Sequence, residues 1–232
     1  MHSSALHADA RRGVFVTFEG VDGAGKTTQC SLLCDALRSA GYEVVRLREP
    51  GGTPLGERVR SLLLDPQSQT IDPTCELLLF EAARAQLVAQ VVRPALDRGA
   101  VVVSDRFFDS TYAYQGFARG LGGETVRTVN TVACGGLAPD RTLLLDLEPG
   151  EAFGRAVCEG ADRMEREGAA FQDSVRAGFL EVARAEPGRV RVVDARGGIS
   201  EVWGRVRNEL ADLLDLPAAC PCGRPEEASD RG

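Results

Sequence analysis

Short apolar runs alternate with longer stretches of helical periodicity from one end of the chain to the other. The runs are rich in β-branched residues, as buried strands are, and they predict strands at 14–19, 43–48, 100–105, 141–146 and 190–194. Because a helical segment separates each run from the next, the strands should form one parallel sheet with helices on both faces. The pattern therefore predicts an α/β fold built on a doubly wound, five-stranded parallel sheet.

The helical segments carry apolar residues at every third or fourth position. Asp72 followed by Pro73 is typical of a helix start, and Ser200 is expected to precede the last helix. We expect one domain at 13–216, with a disordered extension at 1–12 and a disordered tail at 217–232. The periodicity predicts helices at 29–40, 54–64, 73–97, 110–134 (broken at "GLGG"), 149–158, 169–185 and 200–215.

The charge and hydropathy of the chain exclude several classes of partner. The 232 residues carry a net charge of −7 with no basic stripe, which argues against a general nucleic-acid binder. No apolar stretch is long enough to cross a membrane, and the N-terminus lacks the apolar core of a signal peptide. The net negative charge does not exclude small anionic substrates, because local arginines and helix N-termini bind them.

The seven cysteines occur singly or within helical patterns, as Cys30, Cys34 and Cys75 do. This distribution favours reduced thiols in a cytosolic protein over a disulfide framework. Cys220 and Cys222 could bind a metal, but two ligands rarely complete a site, so we expect them to lie in the tail.

The segment "GVDGAGKTT" at 20–28 lies between the first predicted strand and the first predicted helix. This is the context of a phosphate-binding P-loop, in which backbone N–H groups converge on phosphate oxygens at a helix N-terminus. Lys26 would contact the β- and γ-phosphates, and the Thr27 hydroxyl would bind Mg²⁺. A structural turn that matches by chance is the alternative, and the flanking strand and helix disfavour it.

A P-loop alone is compatible with a GTPase, a motor, a transporter subunit or a small-molecule kinase. The guanine-reading Asn-Lys-x-Asp motif is absent, and the third predicted strand ends in Asp105-Arg106 rather than Asp-Glu. Asp105 could hold the water shell of the metal, and Arg106 could neutralise a second phosphate. The pair therefore favours two phosphate-bearing ligands facing each other over a surface ion pair.

Six further motifs follow one another along the chain: "REPGGT" (48–53), "RSLLLD" (60–65), "LLFEAARAQL" (78–87), "DRFFDSTYAYQG" (105–116), "PDRTLLLDL" (139–147) and "DRMERE" (162–167). They resemble the motifs of bacterial thymidylate kinases, in the expected order. The resemblance covers about 14–214 and implies a P-loop NTPase fold of the nucleotide kinase type, with a small lid at about 155–168. It also implies transfer of the γ-phosphoryl group of ATP to dTMP with Mg²⁺, in a cytoplasmic homodimer.

Phe80 and Arg84 are four residues apart on a predicted helix and so share a face. A ring that stacks on a base, beside a guanidinium that donates to thymine O4, would form a base pocket that disfavours cytosine. The residues alone are equally compatible with one core Phe and one solvated Arg, and the resemblance favours the pocket.

The resemblance also implies the roles of the other site residues. Arg48 and Arg106 would bind the 5′-phosphate of dTMP, and Asp22 would point to the acceptor sugar or the metal. Tyr114 would pack beneath the sugar and disfavour a ribose 2′-OH, and Ser110 and Thr111 would cap their helix and contact the base. The expected ATP site is Gly20, Val21, Asp22, Gly23, Ala24, Gly25, Lys26, Thr27 and Thr28, and the dTMP site is Arg48, Phe80, Arg84, Arg106, Ser110, Thr111, Tyr114 and Gln115.

The expected catalytic residues are Lys26, Arg106, Asp22 and an arginine of the lid. Thymidylate kinases without an arginine in the P-loop supply one from the lid, but Cys158 and Glu159 occupy the expected position here. Arg163 is the predicted substitute, with a solvated arginine paired to Asp162 or Glu165 as the alternative. Two other functions are left open. One is a P-loop NTPase that hydrolyses its nucleotide without an acceptor, and the other is a kinase for dUMP, CMP or AMP.

Overall fold

The computed structural model describes residues 12–65, 71–155, 163–164 and 167–217. Almost all of the predicted N-terminal extension, the tail with Cys220 and Cys222, and most of the predicted lid lie outside the described residues. Among the helices that are described, none combines the length and the hydropathy that a membrane span requires.

The core of the fold is a five-stranded sheet in which every pairing is parallel. The strand order is β2-β3-β1-β4-β5. From β1 the chain crosses to the edge strand β2, returns to β3, and then passes over β1 to β4 and β5 on the other side. This confirms the predicted fold class, and each predicted strand agrees with its observed bounds within one residue. The strands are β1 Phe15–Glu19, β2 Val44–Arg48, β3 Val101–Asp105, β4 Arg141–Asp146 and β5 Val190–Asp194.

The central strands β1, β3 and β4 are buried on both faces, which explains why they read as apolar runs, whereas the edge strands β2 and β5 are partly exposed. Val16 and Val103 belong to the apolar cluster on one face, and Phe15 and Val102 belong to the cluster on the other. Side chains alternate between the faces of a strand, so this assignment requires helices on both sides of the sheet.

Apart from the last helix, the described helix ends agree with the predicted ranges within three residues. Two π-helical segments, Val88–Val92 and Tyr112–Ala118, interrupt predicted helices. The first lies just before Pro94, which has no N–H to donate to a regular helical ladder. The helices are α1 Lys26–Ser39, α2 Pro54–Leu64, α3 Pro73–Leu87, α4 Arg93–Asp97, α5 Phe108–Thr111, α6 Gly123–Cys134, α7 Pro149–Arg155, α8 Ala169–Ala185 and α9 Ile199–Asn208.

The predicted helix start at Asp72 and the break before α6 are confirmed. Asp72 Oδ1 accepts hydrogen bonds from Thr74 N at 2.8 Å and Cys75 N at 3.3 Å, as an N-cap does. The expectation for Ser200 is wrong, because α9 begins at Ile199 with Gly198 as its cap. The Glu201 carboxylate accepts from Gly198 N at 2.8 Å, which satisfies a donor at this helix start.

The last helix is also shorter than its predicted range of 200–215, because α9 ends at Asn208. The Arg141 guanidinium donates to the carbonyl of Glu209 at 2.5 Å and to Asp212 Oδ2 at 2.8 Å. A side chain from β4 thus binds a carbonyl at the end of the helix that has no partner within it.

Candidate active site

A cavity of about 990 Å³ opens at the carboxyl ends of β1, β2 and β3. In this strand order β1 and β3 flank the point where the chain changes direction, the usual ligand site of an open α/β sheet. Its wall is formed by the glycine-rich loop, α3, the segment after β3 and the loop between β5 and α9. The sequence predicted the first three of these walls and missed the fourth, which includes Gly197, and also missed Ile199 and Val202 in the first turn of α9.

The predicted P-loop connects β1 to α1 in the conformation that its glycines permit. Gly25 precedes α1 with φ 91°, in the left-handed region. Gly23 has φ 81°, and a Cβ on it would lie 2.2 Å from the carbonyl oxygen of Ala152 in α7. Of the nine loop residues, Gly20 and Val21 lie behind the cavity, and those that line it are Asp22, Gly23, Ala24, Gly25, Lys26, Thr27 and Thr28.

The Lys26 ammonium is held over the loop. Its Nζ donates to Val21 O at 2.8 Å and lies 3.7 Å from Asp22 Oδ1. Burial and the positive charge of Arg106 lower the pKa of Lys26, against the opposing effect of Asp22. The loop therefore offers a partly desolvated ammonium to any anion in the cavity.

Thr27 in the first turn of α1 and Asp105 at the end of β3, the two predicted metal ligands, are in direct contact. Thr27 Oγ1 donates to Asp105 Oδ2 at 2.6 Å. Both are oxygen ligands, which suits Mg²⁺. Across the part of the chain that the structure describes, no cluster of three or more acidic, His or Cys side chains could hold a metal ion. A cation here would need phosphate and water oxygens to complete its coordination.

Arg106 links the end of β3 to the glycine-rich loop. Its Nη1 donates to Gly20 O and Ser110 Oγ, both at 3.0 Å, and its Nη2 donates to Asp22 Oδ1 at 2.5 Å. Its guanidinium carbon lies 5.3 Å from the centre of the Tyr114 ring. With φ 72°, Arg106 is the only non-glycine residue with positive φ in the described ranges. Such a conformation is held by its surroundings and is common at functional sites.

Asp22 faces Arg106 and Tyr114, and its Oδ1 also lies near the Lys26 ammonium at the start of α1. Burial acts to raise the pKa of Asp22, but Arg106 and Lys26 outweigh it and lower the pKa to about 2. Asp22 is therefore a carboxylate at neutral pH.

The sequence analysis missed Glu19, the last residue of β1. Its Oε1 accepts from Phe107 N at 2.7 Å, and its Oε2 accepts from the Ser110 hydroxyl at 2.6 Å. Burial and the nearby Asp109 raise the pKa of Glu19 to about 7, although Arg106 and these hydrogen bonds act to lower it. Ser110 thus binds Glu19 and does not cap a helix as expected, because α5 begins before it, at Phe108.

Phe80 and Arg84 both line the cavity from α3, so the structure brings the predicted pair together. Arg84 is not solvated: its Nε donates to Glu49 Oε2 at 2.8 Å, and its Nη1 donates to Thr111 Oγ1 at 2.8 Å and to Glu81. Nη1 also donates to Asn130 Oδ1 at 3.1 Å. Two buried carboxylates that the sequence analysis did not single out therefore fix this guanidinium.

The remaining predicted dTMP residues also surround the cavity. Arg48 lines it while its Nη2 donates to Glu57 Oε2 at 3.0 Å. Gln115 and Tyr114 come from the π-helical segment after α5, and the Gln115 amide donates to Glu76 Oε1 at 2.7 Å. All eight predicted residues, from Arg48 to Gln115, lie on the cavity wall.

Arg163 does not line the cavity, whereas its neighbour Met164 does. The Arg163 Nε donates to Leu63 O at 2.8 Å, and its Nη2 donates to Glu76. Asp162 and Glu165, its partners in the alternative interpretation, lie outside the described residues. In this conformation Arg163 is bound to α2 and α3.

Several known proteins that are similar to this chain share one name. The sequence model of the family called thymidylate kinase matches residues 18–206. The thymidylate kinase of Desulforudis audaxviator is 51% identical over 214 residues, which cover 90% of this chain and 96% of that protein. The thymidylate kinase of Pseudomonas fluorescens is 50% identical over 204 residues, covering 88% and 97%. A crystal structure of thymidylate kinase from Ehrlichia chaffeensis superposes with a TM-score of 0.69 at 35% identity, covering 86% of this chain and 99% of that one.

Proposed function

Because the chain belongs to the thymidylate kinase family and converts dTMP to dTDP with ATP, we propose that its cavity holds the two nucleotides with their phosphates facing each other. The triphosphate of ATP lies on the glycine-rich loop, and dTMP lies between α3 and the segment after β3. One observation carries this arrangement: a single cavity joins Lys26 on one side to Phe80 and Arg84 on the other.

On the ATP side, the backbone N–H groups of the loop and the Lys26 ammonium bind the phosphates. Mg²⁺ is held by the Thr27 hydroxyl and, directly or through water, by Asp105, which are already hydrogen-bonded to each other. When bound, the cation neutralises charge on the β- and γ-phosphate oxygens.

On the acceptor side, Arg106 and Arg48 bind the 5′-phosphate of dTMP. An oxygen of that phosphate forms a bond to the γ-phosphorus of ATP while the bond from this phosphorus to the bridging oxygen breaks, and ADP leaves with that oxygen. Asp22 orients Arg106, and its low pKa makes it a poor proton acceptor at neutral pH. The role of Asp22 is therefore electrostatic positioning rather than general base catalysis.

The base of dTMP stacks on Phe80 and receives a hydrogen bond at O4 from Arg84. Thr111 and Gln115 line the base, while Ser110 and Tyr114 lie toward the sugar and phosphate, near Arg106. For Arg163 the proposed catalytic role requires its guanidinium to leave Glu76 and Leu63 and reach the transferred phosphoryl group.

We also propose that the enzyme acts as a cytoplasmic homodimer. Apolar side chains exposed on two neighbouring helices, Leu62 of α2 and Leu78 of α3, support a second copy covering this surface. Sedimentation equilibrium should give twice the chain mass of 24.8 kDa, and a single-chain mass would contradict the dimer.

The deciding experiment is ADP formation with ATP and Mg²⁺, with and without a nucleoside monophosphate. dTMP should stimulate ADP formation strongly, and dUMP, dCMP and AMP should do so less. ADP formation that no monophosphate stimulates would favour an NTPase without an acceptor and would contradict the proposed arrangement of the cavity.

A further inference from the structure

Glu76 is a buried carboxylate in the first turn of α3, and no role has been assigned to it above. Its Oε1 accepts from Gln115 Nε2 at 2.7 Å and from Arg119 Nε at 3.3 Å. Its Oε2 accepts from Arg163 Nη2. A buried carboxylate is stable when donors surround it, and here three side chains from two segments supply them.

The bond to Gln115 determines which end of that amide faces the cavity. A carboxylate offers only acceptors, so the Gln115 NH₂ group must point at Glu76 and the amide oxygen must point away from it. Gln115 lines the cavity, and within the described ranges no N–H or O–H group donates to its Oε1. Gln115 therefore presents an acceptor, rather than a donor, beside the site proposed for the base.

This polarity distinguishes two kinds of pyrimidine. Thymine and uracil carry an N–H at ring position 3, whereas cytosine carries a lone pair there. An amide oxygen complements the N–H and repels the lone pair, while an amide NH₂ would have the opposite preference. Only the fixed orientation of Gln115 makes the difference, because a free amide can turn to suit either base.

We propose that Glu76 is a positioning residue for base selection, which fixes the Gln115 amide so that its oxygen accepts a hydrogen bond from N3–H of thymine. This inference rests on the proposed placement of dTMP between α3 and the segment after β3. The contact from Gln115 to N3–H is then a second selective contact beside that of Arg84, which donates to O4. Two neighbouring positions of the ring are thus recognised by groups of opposite polarity.

The first test is Glu76→Gln, which replaces a pure acceptor by a group that can donate to Gln115 Oε1 and so lets the Gln115 amide turn. The ratio of kcat/KM for dTMP to that for dCMP should fall about tenfold or more, which corresponds to the ~1–3 kcal/mol of a base-specific contact. The change should lie mainly in KM, since the contact forms in the ground state. An unchanged ratio in a folded variant overturns the proposal.

Arg119→Gln is the matched control. It removes another partner of Glu76, next to Gln115 in the same buried cluster, and leaves the bond from Glu76 to Gln115 in place. The ratio should stay within about twofold of wild type. A fall as large as that of Glu76→Gln would mean that general loosening of the cluster, and not the amide orientation, controls the preference, and would overturn the proposal.

A double-mutant cycle with Gln115→Leu shows whether Glu76 acts through Gln115. Gln115→Leu alone should lower the ratio, and adding Glu76→Gln should lower it no further. If Glu76→Gln does not fold, Gln115→Leu alone decides, because an unchanged ratio in that variant also overturns the proposal. Wild-type turnover of dTMP is measured first: its absence would refute the proposed function, whereas normal turnover with unchanged ratios would refute only this inference.

Discussion

The Nη2 of Arg106 lies 2.5 Å from Asp22 Oδ1, so the residue that follows β3 is tied directly to the middle of the glycine-rich loop. The two proposed phosphate sites are thereby held at a fixed separation without any ligand. Pre-set charges of this kind contribute to catalysis because they need little reorganisation when charge develops.

Lys26→Ala should lower kcat by about a hundredfold or more and leave the fold intact, because the ammonium stabilises charge on the transferred phosphoryl group. Steady-state kinetics with ATP and dTMP measure the effect, and near-normal kcat would contradict the mechanism. Lys26 is the only lysine in the chain, so reductive methylation can modify only this side chain and the terminal amine. ATP should protect the enzyme from inactivation by that treatment.

Thr27→Val should raise the Mg²⁺ concentration needed for half-maximal activity, because it removes the hydroxyl proposed as a metal ligand and keeps the shape of the side chain. Thr27→Ser retains the hydroxyl and should behave like wild type. Titration of both variants with Mg²⁺ at saturating nucleotides makes the comparison. Equal Mg²⁺ requirements in the two variants would exclude this ligand.

Arg84→Ala should affect both specificity and stability. The dTMP preference over dCMP should fall, as loss of a base-specific contact costs ~1–3 kcal/mol. The free energy of unfolding should also fall by ~3–5 kcal/mol, because Glu49 and Glu81 would be left as unpaired buried carboxylates.

Arg98→Ala is the control for stability, because Arg98 pairs with Glu43 at the surface, where both side chains are about half exposed. Its loss should cost ~0–1 kcal/mol in urea unfolding. A similar fall in the free energy of unfolding in Arg84→Ala and Arg98→Ala would mean that the buried network around Arg84 contributes no more stability than a surface ion pair.

Arg163→Ala should lower kcat about a hundredfold with little change in the KM for ATP, if its guanidinium reaches the transferred phosphoryl group. The exposed Arg38→Ala is the control and should leave kcat unchanged. A normal kcat accompanied by a loss of stability would instead assign Arg163 to the contacts with Glu76 and Leu63 that the structure shows.

The contribution of Glu19 to the free energy of unfolding should decrease as pH rises from about 5 to 8. The pKa of Glu19 is raised to about 7 from 4.5, so the folded state holds a proton in a range where the unfolded chain has lost it. Its contribution is therefore complete below pH 4.5 and is lost as pH rises through about 7, at about 1.4 kcal/mol per pH unit. Urea unfolding of wild type and Glu19→Gln between pH 5 and 8 measures the difference, and parallel pH profiles would contradict it.

The backbone of the site could be predicted from sequence because its signals are local. The glycine pattern at 20–28 and the Asp105-Arg106 pair each follow a β-branched run, and the carboxyl ends of parallel strands meet at one edge of the sheet. The loop, Arg48 and Arg106 can therefore be placed together from the sequence alone. The faces of α3 could likewise be predicted, because residues four apart share a side of a helix.

The partners of these residues could not be predicted in the same way. Glu19 binds Ser110, 91 positions away, and Arg84 binds Glu49, 35 positions away. No local sequence pattern indicates such contacts. The exception is that Glu19 ends the apolar run "VFVTFE", because a buried acidic residue requires hydrogen-bond donors nearby. For the same reason the sequence predicted Arg163 as the catalytic arginine of the lid and gave no sign that it donates to a buried carboxylate from α3.

The close approach of Gly23 to α7 restricts how this enzyme could have evolved. A side chain at position 23 would collide with the carbonyl of Ala152, and its backbone would be strained at φ 81°. An arginine in the loop and one in the lid are therefore not interchangeable by a single substitution, since α7 would have to move first. A lineage that loses its lid arginine while keeping this packing has to recruit an arginine at a position other than 23.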